Sequence, residues 1–334
     1  MTSPTALPLA DPALAERIAA RLDQVEDRLR TAAAYADELV NDAAHHLADA
    51  GGKRLRPMLT LLAAELGDGS RDEVLDAAVV VELTHLASLY HDDVMDSAPL
   101  RRGAPAAHEV WGNSVAILVG DLLFSRASTT VADLGPEAVK IQAGTFERLC
   151  LGQLHESMGP REGDDAVQHY LQVLADKTAS LIATSARLGA MYGGCAPEVV
   201  ETVAAFGERI GIAFQLADDV LDVSADAALS GKTPGTDLRE KVPTMPVLLL
   251  RERAARERRP EDIALVDLLD SDLSDDDALA RAVAALSTHE VVAETRARAL
   301  ALVDEAVAVL DVLPAGPVKD SFISFADALV NRAS

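Results

Sequence analysis

The sequence predicts an all-α fold, and three observations carry that expectation. Ala and Leu dominate, with Arg and Glu as further helix formers, while Gly (20) and Pro (15) are sparse in a chain of 334 residues. Strict apolar/polar alternation of the strand kind does not run over any useful length. Helix start signals recur, separated by short breaks. In chain order, a break at Gly67–Gly69 precedes Ser70-Arg71-Asp72-Glu73, which reads as a capping box. Val79–Asp96 follows, apolar on several faces and so expected to be central and buried. Pro99–Pro105 is a break. Pro136 precedes an acidic residue, as Pro197 and Pro260 do, which suits a first helical turn. After a break at Gly159–Asp164, Asp165-Ala166-Val167-Gln168 is a capping box with Asp in the Ser/Thr place. It leads into an apolar helix over Tyr170–Gly189. Gly193–Pro197 breaks the chain before a second buried helix, Ala204–Asp222, and Ala225–Thr236 breaks it again. Asp275-Asp276-Asp277 after Ser274 has polar surroundings and reads as a solvated helix cap. No repeat of fixed period and no long linker is visible. The expectation is one all-α domain over 1–334, with its motifs between about 51 and 246.

Composition bounds the function. Apolar residues make up 49%, enough for a sizeable core, and aromatics only 3%, so Ala, Leu and Val must fill it. A net charge of −24 argues against a general nucleic-acid binder and against docking on anionic lipid by bulk charge. Cys150 and Cys195 cannot make a disulfide framework, and two isolated thiols fit a reduced interior. The first residues show no basic segment followed by an apolar one, and no apolar run reaches the ~20 residues that span a bilayer. A cytoplasmic location is expected.

Both buried helices end in carboxylates, Asp92-Asp93-Val94-Met95-Asp96 and Asp218-Asp219-Val220-Leu221-Asp222. In each, the first and last Asp are four apart and share one helical face. Like charges at that spacing repel, and the arrangement makes sense around a hard divalent cation such as Mg²⁺. Two copies of so short a motif are only moderately specific in an Asp-rich chain. What sets them apart from 275–277 is the apolar helix before each.

Small basic clusters answer these acids. Gly51-Gly52-Lys53-Arg54-Leu55-Arg56-Pro57 puts three cations and two glycines in seven residues, and Arg101-Arg102-Gly103 follows Asp96 closely. Glycine lets backbone approach an anion, and Arg offers forked donors to phosphate. A solvated loop is the plainer reading of either cluster alone. Flanking an acidic helix end, they suggest a site for metals and phosphates together. His85 lies two turns before Asp92 on the same face, where a satisfied core histidine is the alternative. Lys177-Thr178 sits in an apolar helix, and a buried lysine needs an anion or a hydrogen-bonding network. Gln215 precedes Asp218 by about a turn. Lys232, in Gly231-Lys232-Thr233-Pro234-Gly235, lies on a loop suited to a lid over a phosphate.

With these residues in view, the chain resembles the trans-type (E) polyprenyl diphosphate synthases, in their medium- and long-chain, octaprenyl- and heptaprenyl-like branch. The motifs come in the family's order: the basic run at 51–57, His85, the acidic run at 92–96 with 101–103, Gly120-Asp121, Lys177-Thr178, Phe214 to Asp222, and Gly231 to Leu238. The resemblance implies the isoprenoid synthase fold, helices surrounding a deep central cavity, usually in a homodimer. It implies Mg²⁺ at Asp92, Asp96, Asp218 and Asp222, the first three as ligands, with Asp93 and Asp219 in support. Arg101, Lys177 and Lys232 would hold the allylic diphosphate (farnesyl or geranylgeranyl). Lys53, Arg56, His85 and Arg102 would hold isopentenyl diphosphate, and Thr178 and Gln215 would stand near the reacting carbons. One departure is visible. The family commonly reads Leu-Arg-Glu-Gly-Lys after the lid, and here Lys241 stands where Gly is usual and Val242 where Lys is usual.

The implied reaction is Mg²⁺-assisted ionisation of the allylic diphosphate, then attack by the double bond of isopentenyl diphosphate. The released diphosphate would take the proton, so no dedicated base is needed. A helical turn rises about 5.4 Å, close to one isoprene unit, so Ala87 and Ser88, one turn before Asp92, bear on product length. Both are small. In the family that goes with longer products, here about seven to ten units of the kind used as quinone side chains. Close helix packing is the alternative reason for their size. Deeper residues such as Leu83 and Thr84 also count. A geranylgeranyl product is the second reading, and the non-catalytic subunit of a heteromeric synthase a third, although such a subunit is expected to have lost an acidic cluster. A terpene cyclase would not need the second diphosphate pocket. A calcium protein would show a D-x-[DN]-x-[DN]-G loop, and neither cluster does. Transient membrane contact during product release is compatible with the resemblance, and a nucleic-acid partner is not expected.

Overall fold

The structure, a computed structural model, describes residues 11–224 and 234–330. It is all-α, as expected. Among the described residues the strands are limited to the two-residue pair β1 (Leu100–Arg101) and β2 (Ala104–Pro105). This hairpin turns the break after the first acidic cluster back on itself, with Arg102 and Gly103 at positive φ in its turn. The chain divides into two compact units, each assembled from separate stretches.

The first unit comprises Met1–Leu149, Ser180–Gly207 and Val309–Phe325. Its elements are α1 (Pro12–Ala33), α2 (Glu38–Asp49), α3 (Leu55–Ala64), α4 (Asp72–Met95), α5 (Ala107–Trp111), α6 (Asn113–Asp133), the first part of α7 (Pro136–Met158), α9 (Ser180–Tyr192), and parts of α10 (Pro197–Asp222) and α16 (Pro317–Val330). Helix α4 is its centre and packs on α1, α3, α6 and α9. Its side chains are buried around the whole circumference, from Val74 and Leu75 through Val81 and Leu86 to Tyr90, as an all-round apolar helix requires. The Tyr90 hydroxyl donates to the Ala43 carbonyl and accepts the Leu47 amide at 3.3 Å, which fastens α4 to α2. Phe206 meets Phe322 edge-on at 5.2 Å.

The second unit comprises Cys150–Ala179, Glu208–Ala308 and Ala326–Ser334. It holds the end of α7, α8 (Ala166–Leu174), a π-helical turn (Ala175–Ala179), the last part of α10, α11 (Thr236–Arg239), α12 (Met245–Glu257), α13 (Pro260–Asp270), α14 (Asp276–Ser287) and most of α15 (Glu290–Val309).

Several start signals are realised. Asp165 caps α8 through the Val167 and Gln168 amides, Asp275 caps α14 through the Ala278 amide, and Pro136, Pro197 and Pro260 open their helices. The capping box at 70–73 does not form. Arg71 is the N-cap without a side-chain bond, and the Ser70 hydroxyl turns back to Asp68 at 2.5 Å. An Asx turn inside the preceding loop competes for that hydroxyl. The helix expected over Tyr170–Gly189 is interrupted by the π turn. Membrane compatibility also needs correction. Among the described residues α6 is long and apolar enough, by length and composition, to cross a membrane. Reading for an unbroken apolar run missed it, because Asp121 and Arg126 interrupt the apolar residues. Core helices of soluble proteins share this length and composition.

Candidate active site

In the first unit the basic run at 51–57 forms the loop that opens α3. Arg54 takes a left-handed conformation (φ 47°) and turns its side chain inward, where it is 5% exposed. Its guanidinium donates to Glu82 Oε1 at 2.7 Å, to Glu26 and to the Ala48 carbonyl at 2.9 Å. This residue was passed over in assigning roles from sequence. The signal was Glu82, an acid inside the apolar run of α4 that had to meet a cation. Lys53 is exposed and Arg56 half-buried. Arg102 donates to the carbonyls of Leu47, at 2.9 Å, and Gly51, so it braces the loop as well as lending it charge.

Arg56 Nε is buried with no protein partner, and burial lowers the guanidinium to about 10. Burial and the cations of Arg56, Arg102, Arg54 and Arg101 hold His85 well below the usual imidazole range. Among the charged groups acting on Arg56, only Glu82 opposes this accumulation of positive charge. Such an excess of desolvated cations calls for an anion. It also has a consequence for stability. An unfolded histidine takes up a proton near pH 6.5, whereas folded His85 resists it. Below that pH the unfolded state binds more protons, so stability falls as the solution is acidified. Urea unfolding between about pH 6.5 and 5 should show a loss approaching ~1.4 kcal/mol per pH unit from this group, absent in His85→Asn. An unchanged slope in the variant would remove His85 as its source.

The first acidic cluster ends α4. Asp92 is half-buried, Asp96 exposed and Asp93 buried. Asp93 Oδ1 accepts Arg101 Nε at 2.6 Å, which ties the β1–β2 hairpin to α4. Arg101, expected at the allylic diphosphate, is therefore engaged with Asp93. Asp93 Oδ2 is buried without a partner. The preceding residue, His91, lies over Gly120. A Cβ there would stand 2.4 Å from His91 Nε2, so the ring occupies the space where another residue's side chain would begin. Asp121 pairs with the same ring at 3.3 Å, which accounts for the Gly120-Asp121 pair. Ala87 is fully buried at this α4–α6 contact, with its carbonyl 3.2 Å from the Gly120 Cβ position. Ser88 is half-buried and its hydroxyl bonds the His85 carbonyl at 2.9 Å.

In the second unit Lys177 and Thr178 lie in the π turn, a local widening common at functional positions. Gly152 makes room for it, since a Cβ there would lie 2.6 Å from the Lys177 amide nitrogen. Lys177 is ion-paired with Glu156, the anion that a lysine in an apolar helix needs. Asp218, Asp222 and Gln215 are half-buried on α10. Asp222 Oδ2 accepts the Asp237 amide at 3.2 Å and its carbonyl accepts the Gly235 amide at 2.7 Å. Asp219 is buried. Its carboxylate accepts the Tyr170 hydroxyl at 2.9 Å and the Met245 amide at 3.0 Å, and burial pushes its pKa up to about 7. Lys232 lies outside the described residues.

Lys241 is exposed at φ 58° and its amine donates to the Asp270 carbonyl at 3.2 Å. The position is left-handed, which is why glycine suits it. The lysine here serves the end of α13. Among the described residues no three His, Cys, Asp or Glu side chains converge into a closed metal site.

These features have counterparts in known proteins. Residues 37–286 match the polyprenyl synthetase family. The chain is 42% identical to the nonaprenyl diphosphate synthase of Mycobacterium tuberculosis over 97% of this chain and 96% of that one. The chain belongs to the polyprenyl synthetase family. Membership makes it a prenyltransferase with the isoprenoid synthase fold. It is also 36% identical to the heptaprenyl diphosphate synthase component 2 of Geobacillus stearothermophilus, over 88% of this chain and 90% of that one. The geranylgeranyl pyrophosphate synthase of Corynebacterium glutamicum, solved with calcium and isoprenyl diphosphate, superposes with a TM-score of 0.87. That pair is 40% identical over 98% of this chain and 99% of that one.

Proposed function

We propose that this polyprenyl diphosphate synthase condenses isopentenyl diphosphate with farnesyl or geranylgeranyl diphosphate, head to tail, to a long E-polyprenyl diphosphate used for quinone side chains. The observation that carries the reading is the cluster of Arg56 and Arg102 beside His85, with a buried guanidinium nitrogen left unpartnered. That cluster, with Lys53, suits a second diphosphate, which an elongating enzyme needs and a cyclase does not.

Asp92, Asp96, Asp218 and Asp222 would hold Mg²⁺. The donor chemistry fits: all four are carboxylates, the oxygen ligands that a hard divalent cation shares with a substrate phosphate. When bound, the metal supplies charge neutralisation for the departing diphosphate. Lys177 exchanges Glu156 for the allylic diphosphate and, with Arg101 and Lys232, orients it. Thr178 and Gln215 offer polar atoms near the reacting carbons. The basic loop at 51–56 holds isopentenyl diphosphate in place for attack. A second copy of the chain as partner is supported by the exposed Val110, Ile117 and Leu118 on α5 and α6.

The test is elongation with Mg²⁺, farnesyl diphosphate and labelled isopentenyl diphosphate, the products dephosphorylated and sized. A ladder ending at a long polyprenol is expected. A stop at geranylgeranyl would keep the reaction and move the product, in line with the likeness to the Corynebacterium enzyme. No elongation by folded protein would favour a subunit that needs a partner, as the component 2 relative suggests. Ser88→Phe should shorten the longest product in this assay by one isoprene unit or more, each about one helical turn in length. An unchanged ladder would remove Ser88 from product control.

A further inference from the structure

We propose that Tyr170 is a positioning residue of the transfer site: its hydroxyl, through Asp219, sets the helix that carries Asp218 against the helix that carries Lys177. The argument starts from a cost. Asp219 is 4% exposed, and among the described residues no Lys or Arg pairs with it. A carboxyl group left inside an apolar helix without a cation is costly, and each donor that reaches it counts. Two do: the Tyr170 hydroxyl, 3.0 Å from Oδ1 and 2.9 Å from Oδ2, and the Met245 amide, 3.0 Å from Oδ2.

These bonds join three elements that each carry part of the chemistry. Tyr170 stands on α8, seven residues before Lys177, and α8 runs directly into the π turn. Asp219 is the neighbour of Asp218 on α10. Met245 opens α12, where the chain returns from the segment whose Gly235 and Asp237 amides bond Asp222. The carboxylate of Asp219 is thus spent on the protein, facing inward at the point where three elements meet. Tyr170 is itself buried, with its hydroxyl committed to Asp219. Loss of its hydroxyl leaves one buried oxygen pair with a single donor, and α8 and α10 lose their direct polar tie.

The inference rests on Asp218 being a metal ligand, and the test separates the two claims. Tyr170→Phe keeps the buried ring and removes only the hydroxyl. It should remain folded, with kcat lowered about tenfold, the KM for isopentenyl diphosphate unchanged, and more Mg²⁺ needed for half-maximal rate. Mn²⁺ titrated into the protein with inorganic diphosphate, followed by electron paramagnetic resonance, should bind several-fold more weakly. Asp218→Ala should abolish that binding. If Asp218→Ala loses Mn²⁺ while Tyr170→Phe matches wild type in Mn²⁺ affinity and kcat, or differs only in melting temperature, the positioning role is overturned alone. If Asp218→Ala binds Mn²⁺ as wild type does, the ligand assignment falls and the positioning role with it.

Discussion

Asp92→Ala and Asp218→Ala should each lower kcat/KM by about a thousandfold or more, the several kcal/mol expected of a metal-held leaving group, while the protein stays folded. Urea unfolding of each variant should remain a single cooperative transition, which separates lost chemistry from lost fold. Asp93→Ala makes the contrast. Asp93 is fully buried and paired with Arg101, so its loss should destabilise the fold by a few kcal/mol. A folded Asp92→Ala protein with normal turnover would remove the metal role of that cluster.

Arg54→Ala should have the largest effect on stability, a loss of about 3–5 kcal/mol. Glu82 is 2% exposed and would be left without its 2.7 Å partner, and Glu26 would lose its partner as well. The sum is a large share of the 5–15 kcal/mol typical of whole domains. Denaturant unfolding measures it, and Arg54→Met combined with Glu82→Gln should recover much of the loss, because the uncompensated buried charge is then gone. The KM for isopentenyl diphosphate should rise in the double variant, since the loop holding Lys53 and Arg56 has lost its inward anchor. If the single variant is as stable as wild type, the Arg54–Glu82 pair is not holding the loop.

These two outcomes separate residues that look alike in sequence. Arg54 and Arg56 are both cations of one short motif. One is turned inward by a left-handed backbone and satisfied by acids from α1 and α4, and the other keeps a buried nitrogen with no protein partner. Asp218 and Asp219 are adjacent, yet helical geometry points them about 100° apart, so one is half-buried and the other sealed between Tyr170 and Met245.

Much of the fold was legible because helical signals are local. Periodicity marked the two buried helices, and the caps at Asp165 and Asp275 and the prolines at 136, 197 and 260 depend on residues within one turn. The metal and phosphate reading rests on paired carboxylates and clustered guanidinium groups, which are costly in a core and so call for a ligand. What the sequence by itself determined was therefore the all-α class, the family and the kinds of group at the site. Only the tertiary structure decided which acids face their own protein: Glu26 and Glu82 on Arg54, Asp93 on Arg101, Asp219 on Tyr170. It also decided that the π turn, not an unbroken helix, presents Lys177, with Gly152 against its backbone. The physical reason is range. Caps and periodicity are settled within a turn or two of chain, whereas a buried charge is settled by a partner tens of residues away, and no local pattern names that partner.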